Sequence, residues 1–184
     1  SPAVTPLLQT LGAVAARLRS ADAVQHYLTL ILDHAQRTAG SIHGFQITQS
    51  SPSLAEFLGQ TPRLLSLVSL TGLKRWMDDG IRLYGDHPEH QRAYFSLASA
   101  DSKAILQRER DGTLFTAVER RLSLTLAALW QDDSQLVPYS TAFSDIRQQP
   151  YLASDGMRLP DALHDKDGVS GLARYRAMLA HLAG

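Results

Sequence analysis

Two histidines in Asp86-His87-Pro88-Glu89-His90 have the look of a metal-ligating pair, and they are the first residues in this sequence whose spacing could do chemistry. Pro88 places them at a helix start, where Asp86 and Glu89 complement the helix dipole and explain the charge without a metal. A working site needs at least one further convergent ligand. His26 and His34 stand alone on predicted helices. His181 lies in AHLAG, where a zinc-peptidase helix would carry a glutamate next to the first histidine and a second histidine four residues on; Leu182 holds the glutamate's position. The carboxylate pairs Asp78-Asp79 and Asp132-Asp133 could serve acid and base roles, but both are read next to helix termini or turns, where aspartate belongs for capping. No G-x-x-x-x-G-K-[ST] loop surrounds Lys74, Lys103 or Lys166, and no D-x-S-x-S or G-x-S-x-G motif occurs. The expectation is a chain that is not an enzyme, with no catalytic residue, cofactor or metal of its own.

The stretch SADSKAILQRERDGTLFTAVERR gathers Lys103, Arg108, Arg110, Arg120 and Arg121 around Gly112. These five are the interaction candidates, because rigid guanidinium forks pair specifically with partner carboxylates. Asp101, Glu109, Asp111 and Glu119 are interspersed among them, so a salt-bridged helix junction is the competing reading. Over the whole chain, 18 lysines and arginines offset 18 aspartates and glutamates, leaving no long-range field to attract nucleic acid or an anionic membrane. The absence of cysteine excludes disulfides, thiol catalysis and iron-sulfur ligation. No apolar run approaches the roughly 20 residues that span a bilayer, and a cytoplasmic protein is expected.

The elements that must position these residues are mostly helical. Thr5-Pro6, Ser51-Pro52 and Thr61-Pro62 each read as a capping hydroxyl before a first-turn proline. Helices are predicted over Pro6–Arg19, Ala23–Thr38 after Ser20 or Asp22, and Leu54–Leu58. A central apolar helix over Pro62–Leu70 is ended by Thr71-Gly72. Leu73, Trp76, Met77, Gly80, Ile81 and Tyr84 form one face of the next helix, and another runs from Glu89 to Ala98. Ser99 or Asp101 caps a helix closed by Gly112, and the longest helix is expected over Thr113–Trp130, with its stripe reaching Leu129. A loop is expected between Gly40 and Ser50, a small hairpin around Asp155-Gly156, and a last helix over Val169–Leu182. The fold class is mainly α: a multi-helix bundle or helical-repeat-like stack with a small β-hairpin appendage near 136–160. Residues 1–130 are predicted as a helical domain, and 131–184 as a β-containing segment plus C-terminal helix that begins a following domain. The pattern of RYRAMLAHLAG stops in mid-helix, as expected of a fragment of a longer protein.

The segment GLKRWMDDGIRLYGDHPEHQRAYFSLASADSKAILQRERDGTLFTAVERRLSLTLAALW, followed by MRLPDAL and GLARYRAMLAHLAG, resembles the CbbO/NorD family of von Willebrand factor A proteins. The matched elements cover roughly Gly72 to Leu182, and the first seventy residues match only as amphipathic helices. The resemblance implies an adaptor working with a MoxR-type AAA+ ATPase hexamer (CbbQ/NorQ-like). In CbbO-type members the client is inhibited Rubisco, from which the motor's work releases tight-binding sugar phosphates; NorD-type members serve nitric oxide reductase maturation. The CbbO side is preferred on overall similarity in the YRAMLAHLAG region. The chain is then expected to be the N-terminal helical portion, with magnesium confined to a downstream adhesion domain. Two alternatives are a metal-dependent hydrolase completed beyond the chain end around His181, and a helical scaffold with no ATPase partner.

Overall fold

The computed structural model describes residues 3–40, 50–110, 112–140 and 149–184. The fold is mainly α with a small β appendage, with eight helices among the described residues. The chain forms two compact units, residues 1–109 and 110–184.

The first unit holds α1 (Val4–Leu18), α2 (Ala21–Thr38), α3 (Leu54–Leu64), α4 (Leu70–Tyr84), α5 (Pro88–Phe95) and nearly all of α6 (Ala100–Arg110). Ser20 caps α2 by accepting the Ala23 N–H at 3.1 Å, Ser69 caps α4 through Gly72, and Ser99 caps α6 through Ser102. Pro88 sits at the start of α5, as its fixed φ and missing N–H favour. The first unit's helices close on aromatic side chains: Phe57, Trp76, Tyr94 and Phe95 are fully buried. Trp76 stacks on Tyr94 at 4.9 Å between ring centroids and meets Phe95 edge-on at 5.4 Å. Its indole N–H donates to the Ser102 carbonyl at 3.0 Å, joining α4 to α6, while the Tyr94 hydroxyl donates to the Trp76 carbonyl at 2.8 Å. Gly80 is the close-approach point of α4, because a Cβ there would run into the Tyr94 ring and reach 3.0 Å from Phe95 Cζ.

Punctuation read from proline is corrected at three places. Thr5 lies inside α1, which starts at Val4 after Ala3. Ser53, two residues beyond Ser51, precedes α3. Pro62 is inside the last turn of α3, so no central helix runs from Pro62 to Leu70. The Thr61 hydroxyl turns back to the Leu58 carbonyl at 2.9 Å and the Tyr27 hydroxyl at 2.9 Å, a buried bonding role in place of a cap. Thr71 and Gly72, predicted to break a helix, instead follow Leu70 in the first turn of α4. The loop expected between Gly40 and Ser50 falls outside the described residues, as does Asp111.

The second unit contains β1 (Thr113–Leu114), α7 (Phe115–Trp130), β2 (Leu136–Tyr139), β3 (Tyr151–Ala153), β4 (Gly156–Pro160), β5 (Ala162–Leu163) and α8 (Gly171–Ala183). The predicted hairpin is β3–β4, with Ala153 opposite Gly156. Gly156 adopts φ +137°, and a Cβ there would collide with the Gln135 carbonyl, so the turn requires glycine. β2 adds to β4 in parallel, and β1 pairs antiparallel with β5. Thr113 and Leu114, expected as the first residues of the long helix, are therefore strand. Phe115, Leu122 and Leu126 of α7 pack with Leu136, Met157, Leu159 and Leu163 of the strands and Tyr175 and Leu179 of α8. The composition change after Trp130 thus falls inside this unit, whose core draws on α7. Leu129, predicted on the buried stripe, is 67% exposed, although it follows the buried Leu122 by seven residues; it stands in the last turn of α7, one residue before the helix ends at Trp130.

Candidate interaction surface

The five cationic candidates do not form one group. Lys103 and Arg108 belong to α6 in the first unit; Arg110, Arg120 and Arg121 belong to the second. Arg108 reaches sideways to α4, donating to Asp79 Oδ2 at 2.7 Å, and lies 3.5 Å from Glu109. Asp79 also accepts from Arg82 at 2.7 Å. Partial burial works to raise the Asp79 carboxyl, but the hydrogen bonds from Arg82 and Arg108 outweigh it and hold the group below the usual aspartate range. Asp78 takes Lys74 at 2.6 Å and Arg37 of α2 at 2.5 Å. The Asp78-Asp79 pair, read as lying beside a helix end, is well inside α4 and is engaged in ion pairs that link α2, α4 and α6. Asp132 does hold a turn, accepting the Ser134 N–H at 2.8 Å.

Arg120 and Arg121 stand on the solvent side of α7. With Arg176 of α8 they border a shallow groove of about 780 Å³ whose floor includes Leu124, Ala128 and Leu129, with Trp130 at one end. Leu124 is 63% exposed. Of these residues, arginine and tryptophan are types enriched in protein-binding hot spots, and the exposed leucines add apolar area between them. Trp130 is half-buried and packs against the core of the second unit as well as closing the groove, and Leu129, predicted on the buried stripe, is a groove residue.

The first unit also holds a serine–histidine contact that spacing could not reveal. His34 Nε2 lies 3.1 Å from Ser53 Oγ, and the Ser53 hydroxyl donates to Gln91 Oε1 at 3.2 Å. Gln91 is oriented by its own amide, which donates to the Gly85 carbonyl at 2.6 Å. The single Ser53 proton is thus committed to Gln91, so His34 Nε2 carries the proton it donates to Ser53. That is the reverse of the arrangement that activates a serine nucleophile. All three residues are buried, and His34 is sandwiched between Phe57 at 4.6 Å and Phe95 at 4.5 Å. Burial and the nearby Arg37 charge push the imidazole down to about 3, so it is neutral. The chain of bonds ties α2, α3 and α5 together.

His90 stacks on Tyr84 at 5.7 Å and meets His87 edge-on at the same separation. His181 lies on α8 beside Arg174 and Met178. Among the described residues no group of three or more histidines, aspartates and glutamates converges to hold a metal ion, and no helix is long and apolar enough to cross a membrane. Comparisons with family models, curated proteins and solved structures return no match.

Proposed function

We propose that this chain is a non-enzymatic docking and scaffolding module of an adaptor that couples a MoxR-type AAA+ ATPase of the CbbQ kind to a client, with inhibited Rubisco as the client and release of sugar-phosphate inhibitors as the outcome. The observation that carries the docking role is the outward face of α7, where Leu124 is held in the open beside Arg120 and Arg121 on a helix whose opposite side is locked into a core, with exposed Leu129 in its last turn. Such a face presents anchors at fixed positions, which lowers the ordering cost of association. The MoxR-type ATPase is supported by the resemblance of the ordered motif string from Gly72 to Leu182, and Rubisco as client by similarity in the YRAMLAHLAG region. In this reading Arg108, Arg110, Arg120, Arg121 and Lys103 are the contact candidates, and magnesium belongs to an adhesion domain outside the chain.

The test is co-purification of the chain with a MoxR-type hexamer, with and without nucleotide. Retention by the hexamer, lost on joint alanine replacement of Arg120 and Arg121 in a folded variant, is the expected result. Failure of the unaltered chain to bind a MoxR-type hexamer in either nucleotide state would overturn the adaptor role.

A further inference from the structure

We infer that the α7 groove is the seat of one specific kind of partner element, an acidic amphipathic helix. This deepens the docking role and rests on it only in treating the second unit as a binding module. Three features select the occupant. First, Ala117, Arg121, Leu124 and Ala128 recur at the spacing of one helical row, and Ala117 and Ala128 are small, so a second helix can lie close along α7 with Leu124 as the knob between. Second, the groove is lined by three arginines, Arg120, Arg121 and Arg176, and by no carboxylate. None of the three makes an ion pair among the described residues, in contrast to Arg108, Arg82 and Arg37. Third, Arg120 and Arg121 lie on either side of Leu124 around the helix, so the complementary element has leucine-type side chains along its centre and glutamates or aspartates along its edges.

Other occupants fit less well. A second copy of this chain docked by two-fold symmetry would set the same three arginines against one another, since an isologous contact meets its own surface. A single-stranded nucleic acid would need stacking platforms, and the floor is aliphatic apart from Trp130 at its end. An anionic membrane would engage a broad basic face, whereas the chain as a whole has equal numbers of cationic and anionic side chains.

The experiment titrates the whole chain against a fluorescein-labelled synthetic helix of leucine, alanine and glutamate, leucines at i, i+3, i+4 and i+7 with glutamates flanking them. A companion peptide replaces every glutamate by lysine. The acidic peptide is expected to bind saturably, to lose at least tenfold in affinity to the triple variant R120E/R121E/R176E, and to lose a comparable amount to L124S. The lysine peptide is expected to bind the triple variant better than the unaltered chain, a charge-swap rescue that a folding defect cannot produce. Equal binding of both peptides by the unaltered chain, or acidic-peptide binding indifferent to the triple variant, overturns the assignment. So does a dimer in sedimentation that L124S abolishes, or binding to phosphatidylserine vesicles or oligonucleotides that the triple variant abolishes while peptide binding is absent. Failure of the adaptor role is distinguishable: a MoxR-type ATPase would then fail to bind while the acidic peptide still does. ATPase binding that ignores both variants would instead remove the groove and leave the adaptor role standing.

Discussion

Two surfaces, one on each unit, use arginine in opposite ways. On the first, Arg37 is bound to Asp78, and Arg82 and Arg108 to Asp79, so adjacent carboxylates of α4 tie it to α2 on one side and to α6 on the other. On the second, Arg120, Arg121 and Arg176 surround exposed leucines with no carboxylate among the groove residues. The same side chain is internal scaffolding in one place and an available contact in the other, and a count of charges along the sequence does not separate the two. What separates them is whether another element of the same unit brings an acid within reach.

The comparison can be sharpened by substitution, beginning where the largest effect is expected. Phe57→Ala removes the ring that packs against both His34 and Trp76 and should cost about 3–5 kcal/mol in denaturant unfolding followed by Trp76 fluorescence. Gly80→Ala gains up to about 1 kcal/mol of helix propensity but forces Tyr94 aside, and a net loss of about 1–2 kcal/mol is expected by the same measurement. A stabilised variant would show that the α4–α5 contact yields easily.

Acid titration gives the next effect. His34 is neutral in the fold down to about 3, whereas the unfolded chain protonates it near the ordinary value of 6.5. Between those values the unfolded state binds the extra proton, so stability falls as pH falls, by at most about 1.4 kcal/mol per pH unit from this group. His34→Gln should flatten that slope below pH 6.5 relative to the unaltered chain and leave it the same above pH 7.5. Unchanged acid dependence would show that His34 is not held neutral.

Smaller effects separate the two surfaces. Asp79→Asn should cost about 0.5–1 kcal/mol, since Arg82 and Arg108 are mostly solvated and their pairing is screened. Leu124→Ser should stay within about 0.5 kcal/mol of the unaltered chain in thermal unfolding while weakening binding at the groove. A large loss of stability from that exposed position would mean that Leu124 is a packing residue and the contrast between the units is false.

Helix content and several caps were legible because local chemistry determines them: Ser20, Pro88 and the Leu73–Ile81 face all stand where their types require. Thr61-Pro62 misled because a hydroxyl before proline has the same appearance whether it caps a helix or bonds inside one, and only the Tyr27 partner, 34 positions away in sequence, decides between the two. Thr113-Leu114 could not be read as strand because its partner is Ala162-Leu163. The five cationic candidates were visible individually, but their division between a paired network and an open groove depends on where Asp79 and Arg176 arrive in space. His34, Ser53 and Gln91 share no recognisable spacing, and nothing short of the fold would have joined them.

The pairing of β1 with β5 also imposes an order of events during synthesis. Phe115, Leu122 and Leu126 emerge from the ribosome before Leu159, Leu163, Tyr175 and Leu179 exist to cover them, and at about 5–20 residues per second that interval lasts seconds. During it the core-facing side of the nascent α7 is uncovered, and Leu124 and Leu129 are exposed as well. Helices α1–α5 are complete by then and can consolidate around Trp76, so the second unit is the late and aggregation-exposed step of biogenesis. A chaperone, or the partner helix itself, would act on this chain most usefully in that window.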